Sequence, residues 1–332
     1  MSKTRVSPPK GRKTVATFSP KKIEPPTKNF HKLLSSVETL PPIRTVVVHP
    51  VDEVSLEGVL VSAFHRLIKP LLVGPTDKIS AAAKRLGADI SAYEIVDTPH
   101  SHASAQTAVA LIHEGRAEAL MKGAMHSAEF LYPILDHITG LRTDRRMSHA
   151  FLLDSSAFDR MQIITDSALN IAPNLLAKQD IVQNAISLAH AVGIDLPKVA
   201  VLSAVENVEP RIPSTVDAAA IAVMARRKQI TGAIVDGPLS YDLAVSPASA
   251  KIKNIDSDVA GKADVLVVPN LEAGNMLAKQ LIYVADAQAA GIVCGGQVPI
   301  ILTSRSGSIA NRLVSSAVAT LLYEHKHKAK PK

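Results

Sequence analysis

The sequence predicts an α/β protein whose sheets are mainly parallel. From about residue 44 onward, short apolar runs rich in Val, Ile and Leu recur along the chain. Most of these runs are continuously apolar, which is typical of parallel strands that are covered on both faces. Helical patterns lie between most of them, and an alternation of strands with helices indicates the α/β class.

Nine apolar runs are predicted strands, and the segments between and after them include three helical patterns. The strands are residues 44–50, 69–75, 117–125, 149–154, 161–170, 198–206, 232–238, 263–270 and 298–304, and the helices are 52–67, 174–193 and 309–322. The last helix carries apolar residues at helical spacing. Only about six residues separate runs 149–154 and 161–170, so we expect this pair to be antiparallel.

Length and composition exclude several classes of protein. The chain has 332 residues, of which 47% are hydrophobic, so we expect two domains or one large two-lobed domain. Aromatic residues make up only 3% and Trp is absent, which argues against a nucleic-acid module built on base stacking. The single cysteine, Cys294, excludes an intrachain disulfide and a Cys-rich zinc site. We interpret it as a small buried residue and expect a cytoplasmic location.

The positive charge is concentrated at the N-terminus. The net charge is +7, yet residues 1–32 alone carry nine Lys or Arg and one acid, so the remainder is nearly neutral. Residues 1–32 are rich in Pro, Lys, Ser and Thr, which predicts a solvated, flexible tail, with a nucleic-acid or membrane arm as the alternative. This segment lacks the features of a signal or transit peptide, and no apolar run is long enough to span a membrane.

Polar residues follow most of the predicted strands, where open α/β sheets bind their ligands. We therefore expect one ligand-binding rim assembled from distant segments. Its candidate binding residues are Lys122, Gly123, Ser127, Asn170, Asp236, Asn275, Lys279, Thr303 and Ser308, and its candidate catalytic residues are His126, Asp166, Ser304 and Arg305. Most of these residues also have a simpler interpretation. Asp166 could cap a helix, and His126 could be an ordinary surface histidine. Lys122, by contrast, has no evident structural role.

The segment from Ser304 to Ser308 gives the strongest signal. It joins an apolar strand to an amphipathic helix, whose N-terminus would present unpaired N–H groups and a partial positive charge. Gly307 would let a ligand approach the backbone, and Arg305 adds a permanent cation. Together these features predict a phosphate site. The alternative is that Ser308 is only a helix cap and Arg305 a solvated loop residue.

Familiar cofactor and metal motifs are missing. The sequence has no G-x-G-x-x-G after a strand, no Walker A loop and no H-E-x-x-H. The pairs of histidines in 100–102 and 325–327 lack supporting carboxylates or cysteines. We therefore expect neither a metal nor a cofactor.

Several long motifs resemble the phosphate acetyltransferase and phosphate butyryltransferase family. They are LMKGAMHS, ITDSALNIAPN, DIVQNAISLAHAVGI, LSAVENVEPRIPSTVDAAA, GPLSYDLAVSP and the segment from GKADVLVVPN to ILTSRSGS, in the family's order. The resemblance covers about residues 33 to 325. Within the family, the chain is most similar to the butyryltransferase-like branch, and especially to the acyltransferase part of bifunctional proteins that begin with an enoyl-CoA hydratase domain.

The resemblance implies the reaction of acyl-CoA with phosphate to give acyl phosphate and CoA. It also implies an isocitrate/isopropylmalate dehydrogenase-like fold, with the active site in a cleft between two lobes. Lobe I would comprise residues 33–142 and 293–325 and lobe II residues 143–292, with disordered tails at 1–32 and 326–332. A homodimer or higher homo-oligomer is implied, a separate enoyl-CoA hydratase is a possible partner, and no nucleic acid or membrane is expected.

The resemblance also assigns roles to residues. Ser304 would support the CoA sulfur and Arg305 would hold phosphate, with no acyl-enzyme. Asn311 stands where the acetyltransferase branch has a carboxylate proposed as the base, and Tyr132 and Tyr283 stand in place of further arginines. Deprotonation of the CoA thiol would then depend on His126, on Asp166 or on solvent.

Two other classes of function compete with this one. A non-catalytic module that senses CoA or acyl phosphate is the main alternative, but the intact pair of Ser304 and Arg305, together with Lys122, favours an enzyme. A metal-dependent dehydrogenase of similar shape would need paired aspartates, which the sequence does not show.

Overall fold

A mixed, mostly parallel sheet of eleven strands forms the centre of the protein. The structure is a computed structural model that describes residues 23, 27–156, 159–304 and 307–328. Its strands are β1 Ile43–Val48, β2 Ile68–Gly74, β3 Ile95–Asp97, β4 Ala119–Lys122, β5 Ser148–Asp154, β6 Gln162–Thr165, β7 Lys198–Leu202, β8 Ile234–Leu239, β9 Val265–Val267, β10 Gln288–Cys294 and β11 Ile300–Ile301. The predicted α/β class is confirmed.

Eleven helices accompany the sheet in the described part of the chain. They are α1 Lys28–Val37, α2 Glu53–Phe64, α3 Thr76–Leu86, α4 Ser101–His113, α5 Ser127–Ile134, α6 Leu175–Ala191, α7 Pro213–Arg226, α8 Tyr241–Val245, α9 Pro247–Ile252, α10 Leu271–Tyr283 and α11 Ile309–Lys328. None of the described helices is both long enough and apolar enough to cross a membrane.

The sheet consists of two parallel groups that run in opposite directions. Its strand order is β3-β2-β1-β4-β11-β10-β5-β6-β9-β7-β8. The first five strands are mutually parallel, as are the last four, whereas β10 is antiparallel to both β11 and β5. Strand β5 is antiparallel to β6, with Ala150 opposite Thr165, as the sequence predicted.

This topology changes the expected ligand-binding rim. Because the two groups run in opposite directions, their carboxyl ends lie at opposite edges of the sheet. The polar strand ends therefore leave the sheet at two edges, so a common site has to combine residues that come from both. Residues after β4 and β11 belong to one edge, and residues after β6, β8 and β9 to the other.

The apolar core is continuous on one face of the sheet and divided on the other. Alternate residues of β10 show this division: Ala290 and Ile292 join one large cluster, which includes residues of α1, α2, α6 and α11. On the opposite face, Val293 belongs to a cluster over the first strand group and Ala289 to a cluster over the second. Gly291 lies between these two residues on the same face, where an added Cβ would meet the carbonyl oxygen of Leu302 and Nε2 of His149.

The predicted tails extend too far into the chain. Residues 28–32 form the first turns of α1, where Phe30 is buried and the carboxylate of Asp154 accepts hydrogen bonds from Asn29 N, Asn29 Nδ2 and Phe30 N. At the other end, α11 continues to Lys328, and Lys326 Nζ donates to two backbone carbonyls of the turn before β11. The boundaries at 32 and 326 were therefore wrong. The rest of both predicted tails, apart from residue 23, lies outside the described residues, and the division into two lobes stays a prediction.

The anchorage of α1 can be tested at Asp154. Replacing Asp154 with Ala removes the anion that accepts hydrogen bonds at the start of the helix, so we expect the free energy of unfolding to fall by about 1–3 kcal/mol. Chemical denaturation measures the change, and the exposed Asp195→Ala serves as the matched control. Equal stability of the two variants would contradict this account of how α1 is held.

Candidate functional site

A pocket of about 210 Å³ lies above the middle of β10, and we call it the β10 pocket. Phe151, Ala289 and Gly291 contribute to its floor. Its lining also includes Asn275, Lys279, Ile282 and Tyr283 of α10, and Thr303, Ser304, Gly307, Ser308 and Asn311 of the β11–α11 connection. Five predicted site residues, Asn275, Lys279, Thr303, Ser304 and Ser308, thus meet in one pocket. Arg305 lies outside the described residues.

The connection from β11 to α11 is held by its own backbone and by β10. Strand β11 ends at Ile301, earlier than predicted, because the following backbone leaves the strand toward α11. Leu302 N still donates to Gly291 O over 3.1 Å, and Gly307 N donates to Ser304 O over 3.1 Å. Ser308 Oγ then accepts from Asn311 N over 3.1 Å, so Ser308 does cap α11. Ser308 therefore both caps α11 and lines the β10 pocket.

Side chains of α11 replace the missing length of β11. Since β11 has only two residues, part of the backbone of β10 lacks a strand partner on that side. Asn311 Oδ1 accepts from Ala289 N over 3.4 Å, and Ser315 Oγ accepts from Gly291 N over 3.0 Å. Asn311 therefore helps to fix the pocket floor, a role that its amide can perform although it cannot act as a base.

His149 is a functional candidate that the sequence analysis missed. It lies on β5, is 1% exposed, and its Nε2 atom lies 3.3 Å from Leu302 O, immediately before Thr303. Its ring meets the ring of Phe151 edge-on, with 4.6 Å between the centroids. The one available signal was a histidine at the start of an otherwise apolar strand.

The buried imidazole of His149 is neutral. Desolvation lowers the pKa of His149, while the nearby negative charge of Asp166 partly opposes this effect. A carbonyl can only accept, so we assign the proton to Nε2, which leaves Nδ1 as an acceptor. That Nδ1 atom has no hydrogen-bond partner among the described residues.

Asp166 organises the turn that follows β6. It is 2% exposed, and its Oδ1 accepts from the backbone N–H groups of Ala168 and Leu169. Its Oδ2 accepts from Asn170 N over 3.2 Å and from Asn170 Nδ2 over 2.6 Å. Four donors thus surround this carboxylate, which holds a turn and does not cap a helix, since the next helix, α6, is capped by Asn174. Asn275 Nδ2 donates to Ser167 O in the same turn and so connects it with the β10 pocket.

The residues after β4 form a separate group beside β1. Lys122 is 2% exposed and its Nζ donates to Met125 O over 3.1 Å, so it has the structural role that we had not recognised. Gly123 fits because a Cβ there would overlap the backbone carbonyl oxygens of Val48 and His49. His126 and Ser127 lie exposed at the start of α5. None of these four residues lines the β10 pocket.

Asp236 is not close to the pocket. It lies on β8, the edge strand, five strands away from β10 or roughly 24 Å at the usual strand spacing. Its carboxylate accepts from Gly237 N over 2.8 Å and from Ser257 Oγ over 2.5 Å. These contacts are structural. Among the predicted binding residues, Asp236 alone lies on an edge strand of the sheet.

Two further findings concern possible reactive centres. Cys294 is buried, as predicted, and desolvation raises the pKa of its thiol to about 12. Such a thiol is protonated at neutral pH and is a poor nucleophile. Within the described ranges, no group of three or more His, Cys, Asp or Glu side chains could hold a metal ion.

Comparisons with known proteins agree on one family. The family profile described as phosphate acetyl/butaryl transferase matches residues 101–320. A phosphate acetyltransferase of Rhizobium meliloti is 51% identical over 292 residues, which are 88% of this chain and 92% of the relative. A phosphate butyryltransferase of Clostridium acetobutylicum is 40% identical over 299 residues, which are 90% of this chain and 99% of the relative. The crystal structure of a branched-chain phosphotransacylase from Enterococcus faecalis V583 superposes with a TM-score of 0.72 at 30% identity, covering 85% of this chain and 99% of that one.

The neutral state of His149 predicts how stability depends on pH. The unfolded chain takes up a proton on this histidine near pH 6.5, whereas the folded chain does so only at lower pH. Acidification therefore favours unfolding, and the cost at pH 5 is at most about 2 kcal/mol. We expect His149→Gln to lose less stability than the wild type between pH 7 and pH 5, as measured by chemical denaturation.

The exposed His31→Gln provides the control for this measurement. It should follow the wild-type curve, because the substitution is at an exposed position and leaves the buried imidazole of His149 in place. Parallel curves for all three proteins would show that His149 does not titrate as its burial implies.

Proposed function

The chain belongs to the phosphate acetyltransferase and phosphate butyryltransferase family and is a phosphate acyltransferase, and we propose that it performs this reaction in the β10 pocket. A phosphate oxygen attacks the thioester carbonyl of acyl-CoA, the C–S bond breaks, and the products are acyl phosphate and CoA. The observation that carries the assignment to this pocket is the meeting of Ser304 and Ser308, at the start of α11, with Asn275 and Lys279 of α10. No acyl-enzyme is needed.

Phosphate binds, in this proposal, at the N-terminus of α11. The first N–H groups of a helix lack intrahelical partners and carry a partial positive charge, which suits an anion. Arg305 immediately precedes this region in the sequence and can hold phosphate through two parallel hydrogen bonds. The bound phosphate then lies beside Ser304, which supports the CoA sulfur as the thiolate departs.

The acyl-CoA occupies the remaining part of the pocket. Lys279 is exposed at its edge and can meet the phosphate groups of CoA. Phe151, Ile282 and Ala289 provide an apolar surface for the acyl chain. The size of the pocket and the relatives named for acetyl and butyryl transfer support a short acyl group. In this proposal, the cleft between the two predicted lobes is the β10 pocket.

The base for the CoA thiol remains one of the sequence-based alternatives. Asp166 is surrounded by four donors and buried, so its geometry favours positioning of the turn after β6. His126 is exposed, which leaves it free to exchange protons with solvent but outside the lining of the pocket. These contacts support solvent, with or without His126, as the proton acceptor.

The remaining predictions concern the setting of the enzyme. We retain four predictions: a homodimer or higher homo-oligomer, a cytoplasmic location, the absence of a cofactor, and a separate enoyl-CoA hydratase as a possible partner. Among the comparisons, nothing supports the regulatory alternative.

Phosphate-dependent release of CoA thiol from acetyl-, propionyl- and butyryl-CoA tests the function directly. We expect turnover with at least one of them, and a loss of at least about 100-fold in Arg305→Ala with a raised KM for phosphate, because a charged partner of the transition state is removed. The control is Asp236→Asn, which lies far from the pocket and should stay within about twofold of the wild type. No turnover with any substrate, despite CoA binding, would overturn the proposal.

His126→Ala and Asp166→Asn separate the candidate bases. If solvent accepts the proton, His126→Ala keeps wild-type turnover and the same pH profile of kcat. Asp166→Asn should reduce turnover together with the thermal midpoint, because it disturbs the turn. Loss of turnover in the reverse reaction of acyl phosphate with CoA, without loss of stability and with loss of the wild-type decline toward low pH, would instead identify that residue as the base.

A further inference from the structure

Arg312 is a buried arginine near the start of α11. Its side chain is 3% exposed and its Nε atom has no hydrogen-bond partner. In the part of the chain that the structure describes, no carboxylate lies within ion-pair distance of its guanidinium. A buried charge without a partner is costly, since desolvation is not compensated. Such a residue needs an explanation outside packing.

Two parallel helices, α2 and α11, pack together at Arg312. Arg312 packs beside Gly58 of α2, and one turn later Ser316 Oγ of α11 donates to Ser62 Oγ of α2 over 3.1 Å. The equal spacing of these two contacts means that the helices run in the same direction. Their N-termini, capped by Asp52 and Ser308, therefore lie at the same end.

The local electrostatics favour an anion at this end. Helical side chains lean toward the N-terminus of their own helix, so Arg312 covers the turn that begins at Ser308. Both helix N-termini add partial positive charge there. The facing acidic group is Asp52, an exposed residue whose Oδ1 caps α2 by accepting from Ser55 N over 2.7 Å. Desolvation lowers the pKa of Arg312 and Asp52 only partly opposes this effect, while the guanidinium remains charged.

Gly58 shows that the fold makes room for this arginine. Glycine inside a helix costs about 1 kcal/mol relative to alanine. A Cβ at position 58 would overlap Cδ of Arg312, so any other residue would displace the side chain. A glycine that weakens α2 and an unpaired buried cation thus occur at the same contact. Stability alone explains neither of them.

We propose that Arg312 supplies the buried counter-charge for a phosphate group bound at the N-terminus of α11. The proposal rests on the proposed function, because it concerns the same end of the β11–α11 connection. Arg312 would attract the phosphate group from within the protein. The attraction is strong because charges in a poorly hydrated interior are weakly screened. The phosphate group is either the inorganic substrate or part of CoA.

The test compares Arg312→Met with the wild type in the full-length chain. Thermal midpoints are measured without ligand, with inorganic phosphate and with CoA, and the KM values for phosphate and acyl-CoA are determined in parallel. We expect the midpoint without ligand to stay equal or rise, because removal of an unpaired buried charge relieves its desolvation cost. We expect the stabilisation by phosphate to disappear and the KM for phosphate to rise at least about tenfold, the effect of one charged hydrogen-bonding partner.

The two ligands distinguish the source of the phosphate group. Loss of the shift with inorganic phosphate identifies the substrate, whereas loss of the shift with CoA alone identifies a phosphate group of CoA. Unchanged shifts with both ligands, with a lower midpoint in their absence, would overturn the proposal and make Arg312 a packing residue. The exposed Arg226→Met is the matched control and should change none of these quantities.

Gly58→Ala gives a second, independent test. Alone it should lower the midpoint and weaken the phosphate shift, because the new methyl group displaces the Arg312 side chain. In the double variant Gly58→Ala/Arg312→Met, the thermal midpoint without ligand should recover. The rise of the midpoint on addition of phosphate should not recover. Recovery of both would contradict the proposal. If the wild type released no CoA from any substrate, the proposed function would fail, while the shifts with phosphate would still decide the role of Arg312.

Discussion

The antiparallel strand β10 is the constraint on which the rest of the structure depends. It pairs along its whole length with β5, from Gln288 opposite Asp154 to Cys294 opposite Ser148, and thereby joins two parallel strand groups of opposite direction. On its other side β11 provides only two residues, and side chains of α11 complete the hydrogen bonds. On one face each apolar cluster covers only its own strand group, and Ala289 and Gly291 of β10 contribute to the lining of the β10 pocket.

The polar groups around this strand mostly position one another. Asp166 binds the turn after β6, Asn170 accepts from Arg146 Nε over 2.6 Å, and His149 reaches the carbonyl of Leu302. Most of these buried polar atoms thus have backbone or side-chain partners, as the low dielectric of an interior requires, whereas Nδ1 of His149 and Nε of Arg312 have none among the described residues. In the proposed site, the groups that remain for chemistry lie at the N-terminus of α11. A reaction that only brings phosphate and a thioester together needs little more than such binding and orientation.

The fold was largely predictable, because seven of the nine predicted strands contain β-branched residues and each of the nine overlaps an observed strand. Strand β10 was not predicted: the first half of its segment QAAGIVC contains two Ala and a Gly, which have low strand propensity, and it is a strand because both neighbours pair with it. The site was only partly predictable. Ser304 and Ser308 followed from the local pattern of a strand, a polar loop and a helix, whereas His149 and Arg312 depend on which buried partners meet them in space. The distance of Asp236 from the pocket could not be predicted, because apolar runs do not show the order of strands in a sheet and β8 is an edge strand.

Helix α11 also has a mechanical consequence. It contains 20 residues, so it forms a rod of about 30 Å. One end carries the cap at Ser308, and at the other end Lys326 is tied to the carbonyls of Gly296 and Gln297, in the turn between β10 and β11. Helix α11 therefore contacts β10 and β11 at both of its ends. Its C-terminal end is bonded to the turn that joins these two strands, and its N-terminal end lies at the pocket. Displacement of the last turn, for example by a peptide fused close behind it, would therefore be transmitted along the axis to the residues that face the ligand.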